Sequence, residues 1–193
     1  MGRQFLGKIT AITLTGLVLA CQPFAFAQAP TAVSHLDDDQ MKGVWYEIAR
    51  LPNKREKTCI GDAFQLDARG DKPNTLEWVD SCKTKSAYVN VHNSTAKPQN
   101  KKTPTDGHLK VGAFWPFTAK YWVIALGPDY GWYLLGSPNH KNLWIYSKSP
   151  TLTPDVLAQI ESQAAAAGYP VAKLLLTAQS GQSPTAGPAL MAP

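Results

Sequence analysis

Eight short segments of this chain read as strands: 44–51, 59–67, 76–83, 87–94, 108–114, 121–126, 132–136 and 143–147. Each is rich in β-branched or aromatic residues and is bounded by clusters of Gly, Pro, Asn, Asp or Ser. No helical pattern of about 10–15 residues falls between them, so consecutive strands are joined by turns and pair antiparallel. A meander of this kind removes its own edges by curling into an up-and-down barrel, and eight strands leave an interior for side chains or one small ligand. The one helical pattern comes after the strands. Thr153 is placed to cap it, Pro154 takes the first helical position, Asp155 faces the positive end of the dipole, and Gly168 ends it. Val156, Ile160 and Ala164, with Leu157 beside them, form a narrow apolar stripe that predicts packing on the outside of the barrel. Residues 173–177 predict a ninth short strand. The expected fold is all-β: an eight-stranded antiparallel up-and-down β-barrel with a C-terminal α-helix packed outside.

The first strand opens Gly43-Val44-Trp45-Tyr46-Glu47-Ile48-Ala49-Arg50, which resembles the first signature of the lipocalins, Gly-x-Trp-Tyr-x-Ile-Ala. Residues 119–126 end in the turn Gly127-Pro128-Asp129-Tyr130, similar to the second signature of that family. Leu143-Trp144-Ile145-Tyr146-Ser147-Lys148-Ser149-Pro150 is similar to the third as bacterial lipocalins carry it. The resemblance covers roughly residues 37–179. It implies the barrel, a structural role for Gly43, Trp45, Asp129, Tyr130 and Lys148 at a closed end, and binding of a lipophilic molecule inside. Two positions depart from the pattern. The third signature normally supplies an arginine, which stacks on the signature tryptophan, where this chain has Lys148; an aromatic residue often stands where it has Met41. Lysine is a weaker planar partner than arginine, so the resemblance implies a looser closure there.

Composition and the ends of the chain add the compartment. With 193 residues, 44% hydrophobic and 17% charged, the chain has material for one core but not for two comfortable domains. Arg3 and Lys8 precede an uncharged run over 9–20 that is too short to span a bilayer, which predicts a secretory signal over 1–27. Two processing sites compete. Ala25-Phe26-Ala27 is a small-x-small cleavage site that would release a periplasmic protein, and Val18-Leu19-Ala20-Cys21 is an imperfect lipoprotein box that would leave Cys21 acylated on the outer membrane. Residues 28–35 read as a linker, 36–179 as the domain, and 180–193, rich in Gly, Ser, Pro and Ala, as a disordered tail. Loss of the signal removes Arg3 and Lys8 and no acid, so the net charge falls from +5 to +3. That mild charge suits anionic lipid head groups, and no Lys/Arg block is dense enough to predict a nucleic-acid partner.

Cys59 and Cys82 remain as an even pair in an oxidising compartment, on either side of the turn cluster Arg69-Gly70-Asp71-Lys72-Pro73-Asn74. Folding at that turn sets them opposite each other, which predicts a disulfide; two free buried thiols are the alternative. Neither a metal site nor a cofactor is expected, since no further cysteine or histidine stands at ligand spacing.

Catalytic groups are scarce. His35, His92, His108 and His140 fall in separate segments and read as surface residues, and no nucleophile elbow or phosphate loop occurs. Glu47 is the one carboxylate inside an apolar strand. It reads as a structural hydrogen-bond partner, with an acid/base role in a barrel enzyme, of isomerase or de-epoxidase type, as the alternative. The aromatic residues are the positive signal: six Trp, seven Tyr and six Phe exceed what packing needs. Phe64, Trp78, Tyr88, Phe114, Tyr121 and Trp144 are the candidate ligand walls. Trp115 and Phe117 form a lip, and Lys54, Arg55, Lys57, Lys85 and Lys141 give a basic mouth on the odd-numbered connections. These residues predict a non-enzymatic binder of a fatty acid or lysophospholipid, with the acyl chain between aromatic walls and the head at the mouth. A structural envelope protein with a filled barrel is the third reading. The oligomeric state is open.

Overall fold

A computed structural model describes residue 2 and residues 30–70, 72–114 and 116–180. The signal segment, Cys21, Trp115 and residues 181–193 lie outside the described residues. So do the side chains of Tyr88 and Phe114. The chain forms the expected barrel from eight strands: β1 (Gly43–Arg50), β2 (Gly61–Arg69), β3 (Leu76–Lys83), β4 (Tyr88–Pro98), β5 (His108–Phe114), β6 (Phe117–Leu126), β7 (Trp132–Gly136) and β8 (Leu143–Ser147). Every neighbouring pair is antiparallel, and β1 closes the ring by pairing with both β8 and β2.

The closure is partial. β1 pairs with β2 only from Gly43 to Tyr46, and its pairing with β8 shifts register at a bulge between Glu47 and Ala49. Past that point the seam is filled by β9 (Leu175–Leu176), whose residues pair with Ala49 and Arg50. The chain after β9 then crosses to β2: Thr177 N donates to Ile48 O, the Gln179 side chain donates to the carbonyls of both Glu47 and Ala63, and Asp62 N donates to Ala178 O. Residues 175–180 thus serve as the mortar of an incompletely hydrogen-bonded ring. Unpaired backbone groups there would otherwise form an exposed edge.

The outer apolar cluster explains why β7 and β8 read as unbroken apolar runs. All five residues of each are buried because both faces are covered. Outside lies α2 (Pro154–Ala166), capped by Thr153 as expected; it seats Ile160 and Ala164 on Ile48, Trp132, Leu134, Leu143 and Ile145. Tyr169 just after α2 donates its hydroxyl to Ser137 O at 2.8 Å. Gly136 is required beneath it, since a Cβ there would meet that hydroxyl at 2.3 Å.

The closed end contains what the hydrophobic pattern did not signal. A single-turn helix, α1 (Asp38–Met41), crosses it, with Asp37 capping and Met41 fully buried. Val33, inside the expected linker, exchanges backbone hydrogen bonds with Gly107 and Val123, and Leu36 N donates to Thr105 O. β4 runs four residues past the end of its expected segment and β6 begins four residues before its own, because ladder hydrogen bonds join backbone groups whatever the side chains. Cys59 and Cys82 form the expected disulfide with a Cα separation of 5.6 Å, although Cys59 precedes β2 rather than opening it. Gly61 (φ 155°) and Asp62 (φ 44°) turn the chain into that strand. On the chain-entropy model, closing the 23-residue separation stabilises by about 3 kcal/mol.

Candidate functional site

Side chains alternate across each strand, and cross-strand register decides which of them share a level inside the barrel. On β2, β3 and β4, Gln65 lies opposite Asp80, and Asp80 opposite His92; one level toward the closed end, Asp67 lies opposite Trp78, and Trp78 opposite Ser94. This wall is polar. The facing wall, from β5 to β8, presents Val111, Tyr121, Leu135, Trp144 and Tyr146. Tyr121 meets Trp144 edge to face at 5.3 Å, and Tyr133 stacks on Tyr146 at 5.0 Å.

The first connection folds over the mouth. Arg55, itself exposed, donates a guanidinium hydrogen bond to the Tyr121 hydroxyl at 2.8 Å. Glu56 turns inward and accepts from Trp144 Nε1 at 3.1 and 3.3 Å. Its carboxylate also meets Arg50 Nε at 3.2 Å and the Asn53 amide. Arg50 in turn lies 3.6 Å from Glu47, whose carboxylate accepts from the Thr177 hydroxyl. All three charged groups of this chain of ion pairs are buried. Between these groups and the two walls remains a cavity of about 20 Å³, room for roughly one water. Larger concavities lie on the outer surface, one of about 520 Å³ between residues 35–42 and the β2–β3 turn.

The interior shifts its own ionisable groups. Burial, with the Glu56 charge adding to it, pushes the Asp80 carboxyl up to about 7. Burial also pushes Asp67 well above the carboxylate range, against the Gln65 hydrogen bond that favours its charge. His92 is lowered by burial and by the nearby Arg55 cation, which favours neutral imidazole. Because the folded-state value of Asp80 lies above that of the unfolded chain, the folded protein holds a proton there that the unfolded chain releases between about pH 4 and 7, and stability falls as pH rises through that window. Asp80→Asn is therefore expected to gain less melting temperature than the parent on acidification from about pH 8 to pH 5. An unchanged gain would assign the slope to Glu47 and Asp67.

Of the residues expected at the ligand site, Trp78, Tyr121, Trp144 and Arg55 line the cavity. Phe64 does not. It is buried, but the two-residue alternation that turns Gln65 inward turns its neighbour Phe64 to the outer face of β2. Phe117 stands at the rim, 70% exposed, and Lys54, Lys57, Lys85 and Lys141 are exposed. Lys57 and Lys85 flank one surface groove with Ile60 and Val89, which brings the first and third connections together. His92, read as a surface residue, faces the cavity, and the inward set Glu56, Gln65, Asp80 and Ser94 was not anticipated. Counting by twos from Trp78 would have found Asp80; no local signal marks Glu56, which enters from a loop. At the closed end, Lys148 stands where the family pattern has arginine: its Nζ lies 3.7 Å over the Trp45 ring and donates to Lys42 O at 2.7 Å.

The model of a lipocalin-like domain matches residues 36–179. The outer membrane lipoprotein Blc of Citrobacter freundii is 29% identical over 190 residues, which cover 92% of this chain and 99% of the relative. Temperature-induced lipocalin-1 of Arabidopsis thaliana is 28% identical over 159 residues, 79% of this chain and 84% of its own length. Among solved structures, lipocalin 12 from rat epididymis superposes with a TM-score of 0.61 at 12% identity, covering 83% of this chain and 96% of that one. Insecticyanin from Manduca sexta does so with 0.60 at 17%, covering 81% and 87%.

Proposed function

The chain belongs to the lipocalin family, whose barrels bind or carry small hydrophobic molecules, and from that premise we propose that it holds a fatty acid or lysophospholipid in the bacterial cell envelope. It acts as a binder rather than an enzyme. The observation that carries the reading is the Arg55 guanidinium set over the Tyr121–Trp144 wall beneath the mouth. An acyl chain would lie along the aromatic wall, and its anionic head would take the hydrogen bond that Tyr121 now receives. Sixteen buried methylenes are worth roughly 13 kcal/mol gross at about 0.8 each. Ordering ligand and loops offsets about half, which leaves roughly 6.5 kcal/mol and sets the expected Kd at about tens of micromolar. Glu47, the acid/base candidate, is held by Arg50 and Thr177 and is not among the residues lining the cavity, which favours its structural role. The relatives named outer membrane lipoproteins favour export, with the N-terminus either cleaved after Ala27 or acylated at Cys21.

A second reading, a structural barrel with a filled interior, is favoured by the cavity of only about 20 Å³. The two part on one experiment. In the binding reading, the natively purified protein yields extractable lipid, and its tryptophan fluorescence is quenched by added palmitate. Lys54→Gln with Arg55→Gln is then expected to weaken palmitate several-fold and a neutral monoacylglycerol hardly at all. The contrast is a modest one because the rim is wet and screened. No extracted lipid and no quenching would leave the filled barrel. Equal losses for both ligands would mean that the substitutions distort the mouth.

A further inference from the structure

Cations and solvent-exposed apolar side chains gather at one end of the barrel. The mouth is bounded by residues 51–60, 84–87 and 137–142, and by residues 167–174, which lie past the end of β1 because Leu175 pairs with Arg50 and the Tyr169 hydroxyl reaches Ser137 O. These segments carry Lys54, Arg55, Lys57, Lys85, Lys141 and Lys173, all exposed, and their one acid, Glu56, is buried. The closed end mixes signs: Lys72, Lys101 and Lys102 stand there with Asp37, Asp39, Asp106 and Asp129. Among the described residues, the exposed large apolar side chains are Ile60, Phe117, Leu175 and Leu176, at 54%, 70%, 46% and 68%. Ile60 leads into β2, Phe117 opens β6, and the two leucines pair with the last residues of β1, so all four lie toward the mouth. Ile60 and Val89 share a groove of about 570 Å³ with Lys57 and Lys85. An exposed apolar residue on its own needs no explanation; four at the one end whose exposed charge is all positive do.

We propose that the mouth rim is a docking surface for a bilayer containing anionic lipid, on which the barrel stands mouth down. A head-group layer with acyl carbon beneath it meets both halves of the surface: ammonium groups reach the phosphates, while the apolar side chains and the lysine stems sink below them. A soluble polyanion would leave Phe117 and the leucines in water. A two-fold pair formed through this rim would set its lysines against their own copies. Standing mouth down, the barrel exchanges a hydrophobic molecule with the bilayer without carrying it through water. The docking surface goes beyond the binding reading above and does not depend on what the interior holds.

Vesicle flotation tests it, with the exported protein carrying Cys21→Ser in every sample so that no acyl chain contributes. Vesicles of phosphatidylcholine and phosphatidylglycerol at about 2:1 are expected to bind the protein at low salt, and phosphatidylcholine alone about tenfold less. One cation near such a surface is worth about fivefold in partition. Lys57→Gln, Lys85→Gln and Lys173→Gln together are therefore expected to weaken binding about tenfold to a hundredfold, the lower end applying where salt screens the surface. Ile60→Ser with Phe117→Ser is expected to weaken it several-fold and to leave a remnant that raised salt abolishes. The closed-end triple Lys72→Gln, Lys101→Gln and Lys102→Gln removes the same charge and is expected to lose less than about twofold. All these side chains are exposed, and melting curves check that each variant folds. No flotation of the parent, or equal losses for the two triples, overturns the docking surface. So does self-association of the parent that the mouth variants abolish, which assigns the rim to a second copy. Palmitate quenching reads the interior separately: a protein that floats unquenched keeps the docking surface and loses the binding reading, and one that is quenched but does not float does the reverse.

Discussion

Trp45→Ala is expected to lower the unfolding free energy by about 3–5 kcal/mol, the range for truncating a large buried aromatic. The indole is fully buried, packs edge-on against Tyr133 at 4.6 Å, and donates from Nε1 to Met41 O at 2.6 Å. Truncation leaves a cavity at the closed end, an unpaired carbonyl at the end of α1 and a Lys148 ammonium with no ring beneath it. The partly buried Lys148 already has its pKa lowered by desolvation, so loss of the ring face removes a compensating attraction. Trp45→Phe keeps most of the volume but not the hydrogen bond, and is expected to lose about half as much as the alanine variant. Urea unfolding monitored by circular dichroism measures both. An unchanged midpoint for Trp45→Ala would place the residue outside the core.

Arg50→Met is expected to cost a comparable amount, about 3–5 kcal/mol near neutral pH, because it leaves Glu47 and Glu56 buried without their shared cation. The loss carries a pH signature. Burial and the neighbouring Glu56 charge already raise the Glu47 carboxyl well above 4.5, while Arg50 opposes them. Removing the arginine raises it further, so the folded variant holds a proton that the unfolded chain gives up, and its stability declines as pH rises above the unfolded value. The deficit relative to the parent should therefore shrink on acidification to about pH 5. Adding Glu47→Gln should recover part of it at neutral pH, since the two sites are coupled. A deficit independent of pH would mean that Arg50 acts by packing its stem rather than by its charge.

Lys148 shows how a departure from a family pattern is absorbed. Sequence alone suggested a looser closure, because lysine lacks the planar fork of arginine. In the fold, one ammonium both covers the Trp45 face and donates to the carbonyl of Lys42. A point charge suffices where the partner is a ring face and a single oxygen. The aromatic residues were a less faithful guide. Trp78, Tyr121 and Trp144 face inward as expected, but Phe64 does not, because large apolar residues are buried on both faces of a wall that has a helix and a C-terminal segment outside it. Side-chain type reports burial; only parity along the strand reports direction, and bulges at Asp80/Ser81 and Glu47/Ala49 reset that parity without any local sign.

Local chemistry determined the strands, the capped helix, the antiparallel order and the disulfide, since each depends on residues within a few positions of one another or on the compartment. The tertiary structure alone decided that a polar row faces an aromatic wall, that Glu56 and Arg55 fold into the mouth, and that residues 175–180 fill the β1–β2 seam. Those outcomes depend on which strands become neighbours and in what register. That is fixed by closing the whole ring rather than by any one segment of it.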